Sequence, residues 1–128
     1  MLDLLGEREP FYISAAKIAT LADKRKLKII VSALSFATVS YFLTKYEGLK
    51  KTKDKLRKFK IISGICELDE LIIEKGLNSD FPDFENSLQY FSALRTECDI
   101  IITRNGKDFK KSQIPVMTPI EFINSLKT

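Results

Sequence analysis

The 128-residue sequence contains no histidine. That absence removes the commonest general base, every Ser-His or Cys-His nucleophile pair, imidazole zinc sites and water activation through an imidazole. Catalysis by this chain has to rest on carboxylates with a hard metal, on lysine or on tyrosine. Cysteine is nearly as scarce. Cys66 and Cys98 lie far apart and form no CxxC pair, which excludes a disulfide framework or a zinc knuckle and reads as two reduced, largely buried thiols. No apolar run approaches the length of a membrane span, and Met1-Leu2-Asp3 lacks the basic start of a signal peptide. The expectation is a cytoplasmic protein with no membrane partner. Internal repeats and low-complexity tracts are absent as well.

What remains is the balance of a soluble globular protein, with 45% hydrophobic and 30% charged residues. The length suits one domain, residues 1–128, able to bury roughly two thirds of the surface its unfolded chain exposes. The net charge of +4 conceals an asymmetry. Residues 45 to 60 carry eight basic side chains against Glu47 and Asp54, a balance of +6. Residues 66 to 99 carry nine acidic side chains against Lys75 and Arg95, a balance of −7. The first segment suits phosphates; the second suits a metal or a basic partner.

Apolar spacing predicts a helix over about residues 11 to 24, entered at Pro10. Leu27 to Val31 reads as a buried parallel strand, with Ser32 as the N-cap of a following helix. That helix, Ala33 to Tyr46, is apolar around most of its circumference and is expected to pack on several sides, with Tyr41 and Tyr46 in the core. Gly48 allows it to end. A lysine-rich amphipathic helix over 50 to 64 follows, then a short strand near Cys66 to Leu68, a helix over Asp69 to Leu77 and a turn over 78 to 83. Phe84, Leu88, Phe91 and Leu94 trace the buried stripe of a helix reaching about Glu97, and Tyr90 also reads as core. Ile100 to Ile102 is the clearest buried strand, Val116-Met117 a short final one, and Thr118-Pro119-Ile120-Glu121 a capping box opening the last helix. Strands alternating with helices imply a mostly parallel sheet covered on both faces, with ligands beyond the carboxyl ends of the strands.

Three segments resemble the PIN-domain family: Val31-Ser32-Ala33-Leu34-Ser35-Phe36-Ala37-Thr38-Val39, then Asp83-Phe84-Glu85-Asn86-Ser87-Leu88-Gln89, and most specifically Ile101 to Phe109 followed by Thr118-Pro119. The resemblance implies a three-layer α/β fold and metal-dependent ribonuclease chemistry, in which three or four carboxylates hold Mg²⁺ or Mn²⁺. Hard divalent cations want oxygen ligands, and the bound metal lowers the pKa of a water and steadies charge on the phosphate. Against that pattern, the usual first strand and its Asp are expected to be missing, since the chain starts at a later position of the motif, to which Asp3 corresponds. The second acid position holds Thr38, and the third holds Asn86. Asp108 matches the remaining acid, with Asn105 beside it.

The candidate catalytic residues are therefore Asp108, Asn105, Asn86 and Thr38, with Asp108, Glu85 and Asp83 as candidate metal ligands. For Asp83 the structural alternative is a helix cap, and for Glu85 a solvated place in the first turn. Lys51, Lys53, Lys55 and Arg104 are the candidate nucleic-acid contacts. Three functions compete: a ribonuclease like the toxin of a toxin-antitoxin pair, with a cognate antitoxin and a start upstream of Met1; a degenerate module that binds RNA without cutting; and a protein-interaction module with no nucleic-acid role. Loss of a central strand would leave unpaired sheet edges, so a homodimer is also expected.

Overall fold

A computed structural model describes residues 1–126. The chain divides into two compact units, Met1–Ile65 and the residues from Cys66 onward.

The first unit contains α1 (Leu2–Leu5), α2 (Tyr12–Asp23), β1 (Ile29–Ser32), α3 (Ala33–Glu47), α4 (Leu49–Ile61) and the start of β2 (Ser63–Cys66), which pairs with β1. Ser32 serves both ends of the β1–α3 junction: it closes the strand, and its hydroxyl accepts from the Ser35 N–H at 3.1 Å, as expected of an N-cap. Gly48, at φ +83°, lets α3 stop and α4 begin within one residue. The core gathers Leu5, Val39, Leu43 and Phe59, with Ile29, Val31, Phe36 and Leu56 packed around them.

Two expectations fail in this unit. The face of α3 carrying Tyr41 and Tyr46 is not core: these rings are 61% and 84% exposed, and Phe42 is 42% exposed. Only Val39 and Leu43 of α3 are buried, because α4 covers one side of it. The lysine-rich helix also ends earlier, at Ile61, so that β2 occupies Ser63–Cys66 instead of beginning at Cys66. Ser63 donates its hydroxyl to the Phe59 carbonyl at 2.8 Å, and a Cβ at Gly64 would lie 2.9 Å from Ile30 Cδ1. The Ser-Gly pair thus stops the helix and lets the two strands approach.

The second unit contains α5 (Glu70–Leu77), α6 (Phe84–Arg95), β3 (Ile101–Ile102), one 3-10 turn (Gly106–Phe109), β4 (Val116–Met117) and α7 (Pro119–Ser125). β3 and β4 are parallel, with Ile101 opposite Val116 and Ile102 opposite Met117. The α/β character stands, with the strands paired as two short two-stranded sheets. The isoleucine run is a weaker strand than expected: it has two residues, and Ile102 is 38% exposed. Pro115, at the start of its partner, accepts from Ile101 but has no N–H to extend the ladder.

Each helix entrance follows its sequence signal. Asp69 and Asp83 accept from the Ile72 and Asn86 N–H groups at 3.1 and 2.9 Å, and Thr118 and Glu121 close the capping box. The buried stripe of α6 is turned from its expected position. Ser87, Leu88, Tyr90, Ser92 and Ala93 are buried, whereas Phe84 and Leu94 are 44% and 41% exposed. Helix α5 approaches closely here: a Cβ at Gly76 would fall 2.8 Å from Ser87 Oγ and 2.9 Å from Leu88 Cδ2. Phe84 Cε1 lies at the same contact, 3.1 Å from that position, although Phe84 remains 44% exposed.

Candidate functional site

The two halves of the expected site stand on different units. Thr38 sits half-buried on α3, in the first unit. All other candidate catalytic and metal-binding residues belong to the second.

There, an aromatic cluster sets the placement. Phe81, just before α6, stacks with Tyr90 at 5.0 Å between ring centroids, and lies 6.4 Å from Phe91 and 6.3 Å from Phe109. Phe109 is 6% exposed and ends the 3-10 turn. This cluster fastens the entrance of α6 to the Thr103–Phe109 loop, so Asp83, two residues beyond Phe81, and Asp108, one before Phe109, are mounted on a common apolar support. The loop is ordered by its own backbone: the Asn105 N–H donates to Thr103 Oγ1 at 3.1 Å, and the Asp108 N–H donates to the Asn105 carbonyl at 2.9 Å. Asp108 is half-buried, while Arg104 and Asn105 are exposed.

The carboxylates of the α6 entrance divide by task. Asp83 is exposed and spends Oδ1 on capping α6. Glu85 is exposed in the first turn, and Asn86 is half-buried. Among the described residues no group of three or more His, Cys, Asp or Glu is arranged to hold a metal ion. A divalent Mg²⁺ or Mn²⁺ site draws its affinity from several anionic oxygens converging on the ion. In the second unit Asn86 is neutral and Asp83 spends one carboxylate oxygen as a cap.

The basic helix α4 sorts its cations by direction. Lys55 turns inward: its ammonium donates to the Leu5 carbonyl and to Glu47 Oε1, each at 2.7 Å. It closes the end of α1 and ties α3 to α4, a structural task that sequence reading, which placed it with the nucleic-acid contacts, did not foresee. Lys51 and Lys53 are exposed. Lys53, Arg57 and Lys60 recur at i, i+4 and i+7, which puts them on one face of α4. With Phe36, Leu56 and Ile65 they line a cleft of about 350 Å³. Sequence reading passed over Arg57, Lys60, Phe36 and Ile65, although the helical spacing of the three cations was there to be read. Both cysteines are free, Cys66 buried and Cys98 half-buried. No helix among the described residues is long and apolar enough to cross a membrane.

Comparison with known proteins agrees with the segment resemblance. A family model described as PIN domain matches residues 1–107. Ribonuclease VapC1 of Aquifex aeolicus (strain VF5) is 26% identical over 133 aligned positions, which take in 100% of this chain and 91% of that protein. No solved structure matches the chain.

Proposed function

The chain belongs to the PIN-domain family, whose model matches residues 1–107, and on that premise we propose that it is a ribonuclease-class cytoplasmic protein that binds RNA but has lost most of its metal-dependent hydrolysis. One observation carries the loss. The positions that resemble the family's second and third acids hold Thr38 and Asn86, and Asp83, near the third, is committed to capping α6. Asp108 remains as the single carboxylate at a matching position, with Asn105 three residues before it and Glu85 as an exposed acid in the first turn of α6. The ion such a site takes is Mg²⁺ or Mn²⁺, weakly held. The RNA reading draws on the ribonuclease relative and on exposed cations, Lys51 and Lys53 in the first unit and Arg104 in the second. Because the family model spans both units, we read residues 1–128 as one PIN-like domain.

The test is restoration. Thr38→Glu with Asn86→Asp should raise Mn²⁺-dependent cleavage of single-stranded RNA at least about tenfold, or roughly 1.4 kcal/mol of barrier. Asp108→Asn in that background should abolish the gain. Wild-type cleavage that restoration leaves unchanged would overturn the proposal.

The second reading, a protein-interaction module, draws on the exposed Tyr41, Phe42 and Tyr46 on α3. Its occupants are a second copy of this chain or the cognate antitoxin that the family resemblance implies. Tyr46→Glu should shift the sedimentation of a homodimer to that of a monomer. Sedimentation as a monomer by the wild type would end the homodimer reading.

A further inference from the structure

Around α4, the cleft of about 350 Å³ sets apolar and cationic side chains side by side. Its floor is apolar, made by Phe36 of α3, Leu56 of α4 and Ile65 of β2. Its rim is cationic, made by Lys53, Arg57 and Lys60. All six residues lie in the first unit. Arg57 is steadied by Asp54 at 2.8 Å, and the Lys53 and Lys60 side chains reach exposed positions on either side of it along the helix.

Phe36 and Leu56 also pack against the core, but Ile65, 43% exposed, leaves apolar surface open beside the three cations. The two together match a ligand that is apolar on one side and anionic on the other. The volume falls within the roughly 300–1,000 Å³ of small-molecule sites. The flat face of a nucleobase suits the floor, and its flanking phosphates suit the rim. Single-stranded nucleic acid is held in this way elsewhere, by apolar contact with unstacked bases and cations along the backbone. A duplex, whose bases are already stacked and paired, could offer only phosphates to the rim.

The geometry points to this cleft as the place where one unstacked nucleotide of a single-stranded RNA is seated, its base against Phe36, Leu56 and Ile65 and its phosphates on Lys53, Arg57 and Lys60. This rests on the RNA reading above and adds to it where the strand is gripped and why single strands are preferred. It also assigns the cationic face of α4 that matters. Lys51 is roughly 160° around the helix from Lys53, at about 100° per residue, and lies outside the cleft.

The test compares charge-matched variants by fluorescence anisotropy with a labelled 12-nucleotide oligouridylate. Lys53→Gln with Lys60→Gln should weaken binding at least tenfold and reduce the slope of log affinity against log salt by about 1.4, two contacts at roughly 0.7 each. Lys24→Gln with Lys26→Gln removes the same charge elsewhere on the unit and should weaken binding less than threefold. Ile65→Ser should weaken binding about threefold with the salt slope unchanged, because it removes floor and no charge. If the wild type fails to bind the oligonucleotide, the RNA reading itself falls and this inference with it. If the wild type binds but the two double variants weaken it equally, or if a duplex of equal length binds as tightly, the RNA reading stands and the cleft is rejected.

Discussion

The two units place their charges in opposite ways. Up to Ile65 there are 14 basic side chains against 6 acidic ones, a balance of +8; from Cys66 onward there are 7 against 11, a balance of −4. The basic unit nevertheless draws one cation inside. Lys55 and Glu47 are 23% and 20% exposed and bridge three helices through the Leu5 carbonyl. The acidic unit keeps its main ion pair, Asp69 with Arg95 at 2.8 Å, at the surface, and holds its helices together by close contact at Gly76 and Ser87. The same pairing of carboxylate and cation is thus a joint in one unit and a surface fastening in the other. Desolvation makes the difference: a covered ion that loses its partner has no water to replace it, whereas an exposed one does.

The largest expected effect tests whether the second unit truly depends on apolar packing. Ile72, on α5, is 1% exposed. Ile72→Ala should cost about 3 kcal/mol in urea unfolding, within the usual range for emptying a fully buried aliphatic site. A loss under about 1 kcal/mol would mean that α5 collapses around the gap and that this contact is loose.

Next comes the joint of the first unit. Lys55→Ala leaves Glu47 covered without its cation and the Leu5 carbonyl without its donor, and should cost about 2 kcal/mol. Lys55→Met keeps the stem, so adding Glu47→Gln to it should recover part of the loss. If the double variant is no more stable than Lys55→Met alone, the stranded carboxylate is not what destabilises the unit.

The smallest effect separates the surface pair from the covered one. The Arg95 guanidinium, and then the Ile72 N–H, hold the Asp69 carboxyl below its ordinary value of 3.8. A carboxyl whose folded pKa is depressed contributes stability above its unfolded pKa and loses it as the pH falls through the folded value. Asp69→Asn should therefore flatten the stability profile below about pH 4 and leave the profile between pH 6 and 8 parallel to wild type. The wild-type contribution should also shrink with added salt, and an acid limb identical in both proteins would refute the assignment.

Legibility followed the distance between interacting residues. Ser32, Asp69, Asp83 and Thr118 each cap a helix through an N–H three residues ahead, so four helix starts could be read directly from the sequence. The family segments, the lack of histidine and the neutral Thr38 and Asn86 were equally plain. What a neighbour decides was not. Tyr41 and Tyr46 continue the apolar pattern of α3, yet lie exposed because α4 covers a different face. Phe84 and Leu94 fit the stripe of α6, yet are 44% and 41% exposed, while Ser87 and Ser92 are buried.

The sequence by itself determined where the capped helices start, which family the segments resemble and which acids are present, because those properties depend on residue identity and on hydrogen bonds spanning one turn. Only the tertiary structure decided which faces are buried, that Lys55 joins Leu5 across 50 positions, and that Lys53, Arg57 and Lys60 rim an apolar cleft with Phe36 and Ile65. Burial is shared between elements distant in the chain, and no local pattern specifies the partner.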